Sequence, residues 1–142
     1  KGGRVLVQTF NPEHPAIQAA VRHDYVAFAR AEVPMRKTYS YPPFSRMIRL
    51  VIRGPAEKAT AQFAAHVAEL LTATLDRHEA RARLLGPAPC PFSKLRGKYR
   101  FQIQIQGPDG EKLRTCVREA TAALKRPEEI QWIVDVDPVD ML

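Results

Sequence analysis

The sequence predicts an α+β protein whose main body is a two-layer split β-α-β-β-α-β sandwich, an antiparallel sheet with two helices packed on one face. Three observations predict it. From Ser45 onward, two segments carry apolar residues at helical spacing. Two others, Met47–Arg53 and Tyr99–Gln106, alternate one apolar residue with its neighbour as half-buried strands do. Two shorter apolar runs, at Leu84-Leu85 and Ile130–Val136, complete a set of four strands in the right order. A strand–helix piece is expected ahead of this body.

Val5 to Thr9 reads as a short apolar strand. Asn11-Pro12-Glu13-His14-Pro15 then forms a turn that caps a helix, with Pro15 tolerated in the first turn. Ile17, Val21, Tyr25 and Phe28 keep helical spacing, with Ala20 and Ala29 in the same stripe, until Pro34, which is expected to end or kink the helix. RKTYSYPPF follows as a hinge. In the first strand of the main body Ile48, Leu50 and Ile52 alternate with Met47, Arg49, Val51 and Arg53. Ala56 to Leu75 forms a helix with Ala59, Phe63, Val67, Leu70, Leu71 and Leu75 on one side. Leu84-Leu85 makes a short strand before the proline-rich loop GPAPCPF. Tyr99, Phe101, Ile103 and Ile105 alternate with Arg100, Gln102, Gln104 and Gln106 in the clearest strand of the chain. Pro108-Asp109-Gly110 is a turn, and Asp109 suits the N-cap of the next helix. Leu113, Cys116, Val117, Ala120 and Leu124 stripe that helix, which stops before Pro127. Ile130, Trp132, Val134 and Val136 form the last strand, and the element order is the ferredoxin-like one. The piece before Ser45 cannot bury both its faces alone. It must pack on this body or belong to a missing neighbour.

A length of 142 residues fits one domain, or one domain plus a fragment of another. The hydrophobic fraction of 45% and charged fraction of 26% match a soluble globular protein. No window approaches the ~18 apolar residues that span a bilayer, and no secretory signal opens the chain. The chain opens on Lys1-Gly2-Gly3 and, after Arg4, already runs into VLVQTF, which points to a piece of something larger. Cys90 and Cys116 give no disulfide framework and too few ligands for a structural zinc. Both read as free thiols in a reducing compartment, hence the cytoplasm.

The net charge is +7, and its distribution is uneven. Arg36, Lys37, Arg46, Arg49 and Arg53 lie between Val33 and Ala56 with no acid among them. Arg81, Arg83, Lys94, Arg96, Lys98 and Arg100 form a second acid-free run before Pro108. The rest of the chain holds eleven basic residues against fifteen acidic ones, a net −4. Segregation of this kind makes a directed positive field that favours polyanions.

Helices on one sheet face leave the other face open. With Tyr99, Phe101, Ile103 and Ile105 toward the helices, Arg100, Gln102, Gln104 and Gln106 point outward beside Arg49 and Arg53. The preceding loop is stiffened by Pro87, Pro89 and Pro91 and bends at Gly97. Lys94, Arg96, Lys98 and Arg100 are spaced by two, so in an extended segment they project to one side and can track a phosphate backbone. Tyr99 is either a core aromatic or an outward ring that stacks a base. The candidate nucleic-acid-binding set is Arg46, Arg49, Arg53, Lys94, Arg96, Lys98, Tyr99 and Arg100. An RNA-recognition strand would need an aromatic directly after the basic residue and glycine; Lys98 follows Arg96-Gly97, so an RNA-binding domain stays an alternative.

No GxxxxGK[ST], HExxH or GxSxG motif occurs. His14, His23, His66 and His78 lie on or beside predicted helices without a cysteine at metal spacing. Asp135 and Asp137 read as solvent-facing ends of the last strand, paired with Arg49 or Arg53, with a metal pair as the alternative. No catalytic constellation and no cofactor is expected in this chain.

Four segments, in order, resemble one family, the bacterial replication-restart helicase primosomal protein N-prime. They are GRVLVQTFNPEHPAIQAAVRHDYVAF, YPPFSRMIRLVIRG, GPAPCPFSKLRGKYRFQIQIQ and VDVDPVDML. The resemblance implies that residues 1–36 end the second helicase lobe, 37–44 link, and 45–142 form a C-terminal DNA-binding domain similar to a small-subunit ribosomal protein. It implies binding to single-stranded and forked DNA at stalled forks. It also implies partnership with single-stranded DNA-binding protein and other primosome components, and no membrane. ATP, magnesium and zinc are implied for the full-length parent, an ATP-dependent DNA helicase, whose motor motifs would lie upstream of Lys1. A protein-interaction module that captures the acidic tail of single-stranded DNA-binding protein is the alternative use of the same surface. Pro34 in AEVPMRK departs from the family's unbroken charged helix.

Overall fold

Strand β1 (Arg46–Gly54) decides the architecture, because period-two alternation sends Ile48, Leu50 and Ile52 to one side and Met47, Arg49, Val51 and Arg53 to the other. In the computed structural model, which describes residues 2–122, 124, 125 and 127–138, β1 lies inside a four-stranded sheet. Lys1 and the apolar close of the VDVDPVDML segment at 139–142 lie outside the described residues.

The other strands are β2 (Arg83–Leu95), β3 (Lys98–Gly107) and β4 (Gln131–Val136), and the sheet order is β2-β3-β1-β4. All three pairings are antiparallel. Helix α3 (Glu57–Arg77) joins β1 to β2 and helix α4 (Gly110–Ala122) joins β3 to β4. The α+β, two-layer split β-α-β-β-α-β arrangement is therefore present. Two earlier helices, α1 (Pro15–Val21) and α2 (Tyr25–Thr38), belong to a separate compact unit ending at Tyr39; the sandwich belongs to a unit that begins at Ser40.

The core lies between the two helices and one sheet face. Ile48, Leu50, Ile52, Ile103 and Ile105 meet Phe63, Val67 and Leu71 of α3 and Leu113, Cys116 and Val117 of α4, all buried. Trp132 of β4 stacks on Phe63 with ring centroids 6.0 Å apart. Ala59, expected on the core side of α3, is exposed, and Thr60 is buried in its place. Its hydroxyl is satisfied by donating to the Ala56 carbonyl at 2.6 Å. Asp109 caps α4 as expected, accepting from the amides of Glu111 and Lys112 at 3.1 and 3.0 Å. Leu124, just past α4, still packs against the core.

Three local expectations need correction. Val5 to Thr9 forms no strand; a strand needs a neighbour for its backbone groups, and none pairs with it among the described residues. The predicted first helix is two helices, broken where His23 takes a positive φ of 54°. Its start was legible: His14 is the N-cap and Pro15 sits in the first turn. Of the two effects expected of Pro34, ending or kinking the helix, the ending does not occur, for α2 continues to Thr38. Finally, GPAPCPF is not a loop but part of the 13-residue edge strand β2. An edge strand tolerates proline because half its amides have no ladder partner to lose. Irregularities between Leu85 and Ala88 and between Pro89 and Lys94 absorb the surplus residues. Gly86, at φ 98°, sits at the first of these, where a Cβ would come within 2.6 Å of the Gln102 carbonyl.

Candidate nucleic-acid interface

The hairpin between β2 and β3 fixes where each cation of the basic segment points. Arg96 and Gly97 form a two-residue turn with φ of 49° and 76°, the sign pattern of a type I′ hairpin turn. Leu95 therefore pairs with Lys98, and Lys94 with Tyr99. Residues that pair across antiparallel strands share a face. Spacing by two stops meaning one side once the chain reverses between the residues. Lys98 and Arg100 lie on the open face, whereas Lys94 lies on the opposite one with Tyr99.

The expected single row Lys94–Arg96–Lys98–Arg100 is thus split. Lys94 Nζ sits 4.6 Å from the centroid of the Tyr99 ring and 3.3 Å from its hydroxyl. Tyr99 shares the side of Phe101, but it is only partly buried and lies outside the core cluster, so it is neither the expected core aromatic nor a ring on the open face. Arg46 is also separated, for it has the parity of Ile48 rather than of Arg49. Its Nη1 donates to Asp137 Oδ2 at 3.1 Å at the other end of β1.

The remaining five cations converge. Arg49, Arg53, Arg96, Lys98 and Arg100 line one cleft of about 370 Å³ on the open sheet face, with Val51, Leu95 and Ile133 as apolar walls. Asp135 is the single acid among the lining residues, so the cleft carries five positive charges against one negative. Register builds it: Arg53 stands opposite Arg100 on β3 and opposite Gln131 on β4, and Arg49 opposite Asp135. Gln131 Oε1 accepts from Arg53 Nε at 3.0 Å and from Lys98 Nζ at 3.3 Å, holding two like charges together through one neutral acceptor. Arg100 Nη1 donates to the Phe92 carbonyl at 3.4 Å, which ties it to the irregular part of β2.

The open face is less open than a plain two-layer sandwich allows. Met47, Arg49, Val51 and Gln106 are all buried. Cys90 of β2 is buried too, near the guanidinium groups of this face. Burial pushes its thiol above the ordinary range while Arg100, then Arg49, pull it back. Arg49 is the most enclosed cation, its side chain 9% exposed, with Nη2 3.5 Å from Asp135 Oδ2. Its Nε is buried and without a hydrogen-bond partner.

The two C-terminal carboxylates are held by arginines. Asp135 meets Arg49, and Asp137 meets Arg46 while accepting from the Met47 amide at 3.1 Å through Oδ1. Among the described residues no group of three metal-ligating side chains occurs. His14 caps α1, and His78 Nε2 lies 2.9 Å from Glu119. Gln131 and the apolar walls were not anticipated as site residues. Their signal was present, since the predicted last strand puts Trp132 and Val134 inward and therefore Gln131, Ile133 and Asp135 outward.

Fold and cleft together define a small split β-α-β-β-α-β module that gathers five cations on the sheet face turned away from its helices. The chain belongs to the family described as primosomal protein N C-terminal domain, whose model matches residues 37–139. It is 35% identical over 142 residues to the replication restart protein PriA of Treponema pallidum, covering 99% of this chain and 21% of that protein. It is 34% identical over 137 residues to that of Chlamydia muridarum, covering 96% and 18%. With that of Haemophilus influenzae it shares 32% over 146 residues, covering 99% and 19%. The chain therefore spans about a fifth of the length of the curated relatives it matches.

Proposed function

We propose that this chain is the non-catalytic C-terminal part of a replication-restart protein, and that it binds single-stranded or branched DNA at stalled forks through the cleft on its open sheet face. The observation that carries the reading is the convergence of Arg49, Arg53, Arg96, Lys98 and Arg100 around one acid. Five cations within a few ångströms of a shared surface attract a phosphate backbone and release its counterions on contact. Two unfavourable features sit in the same place, which supports a binding role over plain solvation. Arg53 and Arg100 are like charges directly opposite across a strand pair. Arg96 occupies a left-handed turn position better suited to asparagine or glycine. Neither helps the fold.

On this reading the domain helps to position a helicase motor carried by other segments of the parent, where ATP, magnesium and zinc belong. The work is cytoplasmic. A second reading, capture of the acidic tail of single-stranded DNA-binding protein, is favoured by the apolar walls Val51, Leu95 and Ile133, which suit a peptide that mixes acids with apolar side chains. The test is a titration of the 142-residue chain with labelled oligo-dT at several salt concentrations, for wild type and for the R53A/R96A/K98A/R100A variant. The variant should bind more weakly with a flatter salt dependence. Unchanged affinity and slope would sink the reading. An acidic peptide added to the wild-type complex tests the second: displacement of the oligonucleotide assigns both ligands to one surface.

A further inference from the structure

We propose that the buried edge of Arg49 is the seat of a single backbone phosphate at the floor of the cleft, and that Asp135 is its resident competitor, holding affinity for the polyanion down. The inference rests on the DNA reading of the cleft and deepens it.

The Nε–H and Nη2–H of a guanidinium point the same way and form a side-on fork matched to two oxygens of one anion. At Arg49 that fork is half used. Asp135 Oδ2 lies 3.5 Å from Nη2, at the outer limit for a hydrogen bond, and nothing meets Nε, which is buried. A side chain 9% exposed has given up most of its water, and such a charge needs full pairing to offset the loss. Asp135, at 42% exposed, stays largely hydrated and gives way at small cost. The other cations differ: Arg53 and Lys98 are tied to Gln131, and Arg100 to the Phe92 carbonyl. Among the cations that line the cleft, Arg49 combines a desolvated charge with a buried, unfilled donor. Val51 and Ile133 beside it lower the local dielectric, which strengthens any contact made there. An arriving phosphate displaces Asp135 from Nη2 with one oxygen and, as the carboxylate withdraws, takes the uncovered Nε with the other.

A mere strut between β1 and β4 behaves differently, since removing the acid would then loosen the sheet and the site with it. Oligo-dT binding is measured for wild type, Asp135→Asn, Asp135→Ser, Arg49→Lys and the Arg49→Lys/Asp135→Asn pair, with thermal melts to confirm folding. Two uncharged replacements at 135 keep the test alive if one of them misfolds. Loss of the competitor should tighten binding on the order of three- to tenfold. Arg49→Lys keeps the charge but not the fork, so it should weaken binding and cancel the gain from Asp135→Asn in the pair. Folded position-135 variants that bind no tighter than wild type overturn the proposal, as does an Arg49→Lys protein that binds as wild type does. Should R53A/R96A/K98A/R100A bind as wild type does, the cleft itself is not the DNA site, a failure distinguishable from the other two.

Discussion

Lys94 and Lys98 are four residues apart in one basic run, yet the hairpin puts them on opposite sheet faces, and that difference can be measured. Lys98 lines the cleft, while Lys94 sits over the Tyr99 ring on the other side. For single-stranded DNA each neutralised phosphate contributes about 0.7 to the slope of log affinity against log salt. Lys98→Ala should therefore reduce the slope by about 0.7, which is roughly a fivefold change in relative affinity for each tenfold change in salt. Lys94→Ala should leave the slope alone. Its cost belongs to stability instead, about 0.5–1 kcal/mol from the lost cation–π contact at an exposed site. The assay is fluorescence anisotropy with oligo-dT across a salt series, beside a urea melt of each variant. Equal slope losses for the two lysines would refute the assignment of faces.

Arg96→Asn should raise stability by about 0.5–1 kcal/mol, because asparagine accepts the φ of 49°, and at the same time weaken oligo-dT binding; a variant improved or impaired in both respects contradicts the turn argument. Asp137→Ala removes the acceptor of the Met47 amide and the partner of Arg46, costing about 1–3 kcal/mol by urea melt, whereas Asp137→Asn, which keeps an oxygen and tolerates the positive φ, should cost clearly less. The Glu119 carboxyl is held below its ordinary value of 4.5, first by the His78 hydrogen bond and then by the charges of His78 and Arg77. Because folding depresses it, its stabilisation is present above 4.5 and disappears as pH falls through the lower folded value. Glu119→Gln should flatten the decline of the urea midpoint between about pH 5 and pH 3, and parallel profiles for wild type and variant would refute it.

The fold was legible wherever side chains alternate or recur against a single core. Ile48-Leu50-Ile52 and Phe101-Ile103-Ile105 each have one apolar side, so the strands, their inward faces and the helical layer followed from periodicity. The edge strand β2 was not legible, because GPAPCPF carries the marks of a loop and becomes a strand only through β3 beside it. The same neighbour decides the site. Arg49 and Arg53 could be placed outward from their own strand, but the loss of Lys94 to the other face depends on the reversal at Arg96-Gly97. Arg46 and Arg49 look alike in sequence, and only parity along β1 and the position of Asp137 separate them. The error at Val5 to Thr9 has a plain cause: local β preference cannot supply a missing partner strand.

β1 carries three of the fold's most deeply enclosed aliphatic residues, Ile48, Leu50 and Ile52, on one side and Arg49 with Arg53 on the other, and it is bonded along both edges. A shift by one position would send isoleucines to the cleft and arginines into the hydrocarbon interior. The ligand surface therefore cannot erode by degrees while the rest persists. Solvent exchange at the amides of β1 should report the integrity of the interior and the availability of the cleft as one and the same event.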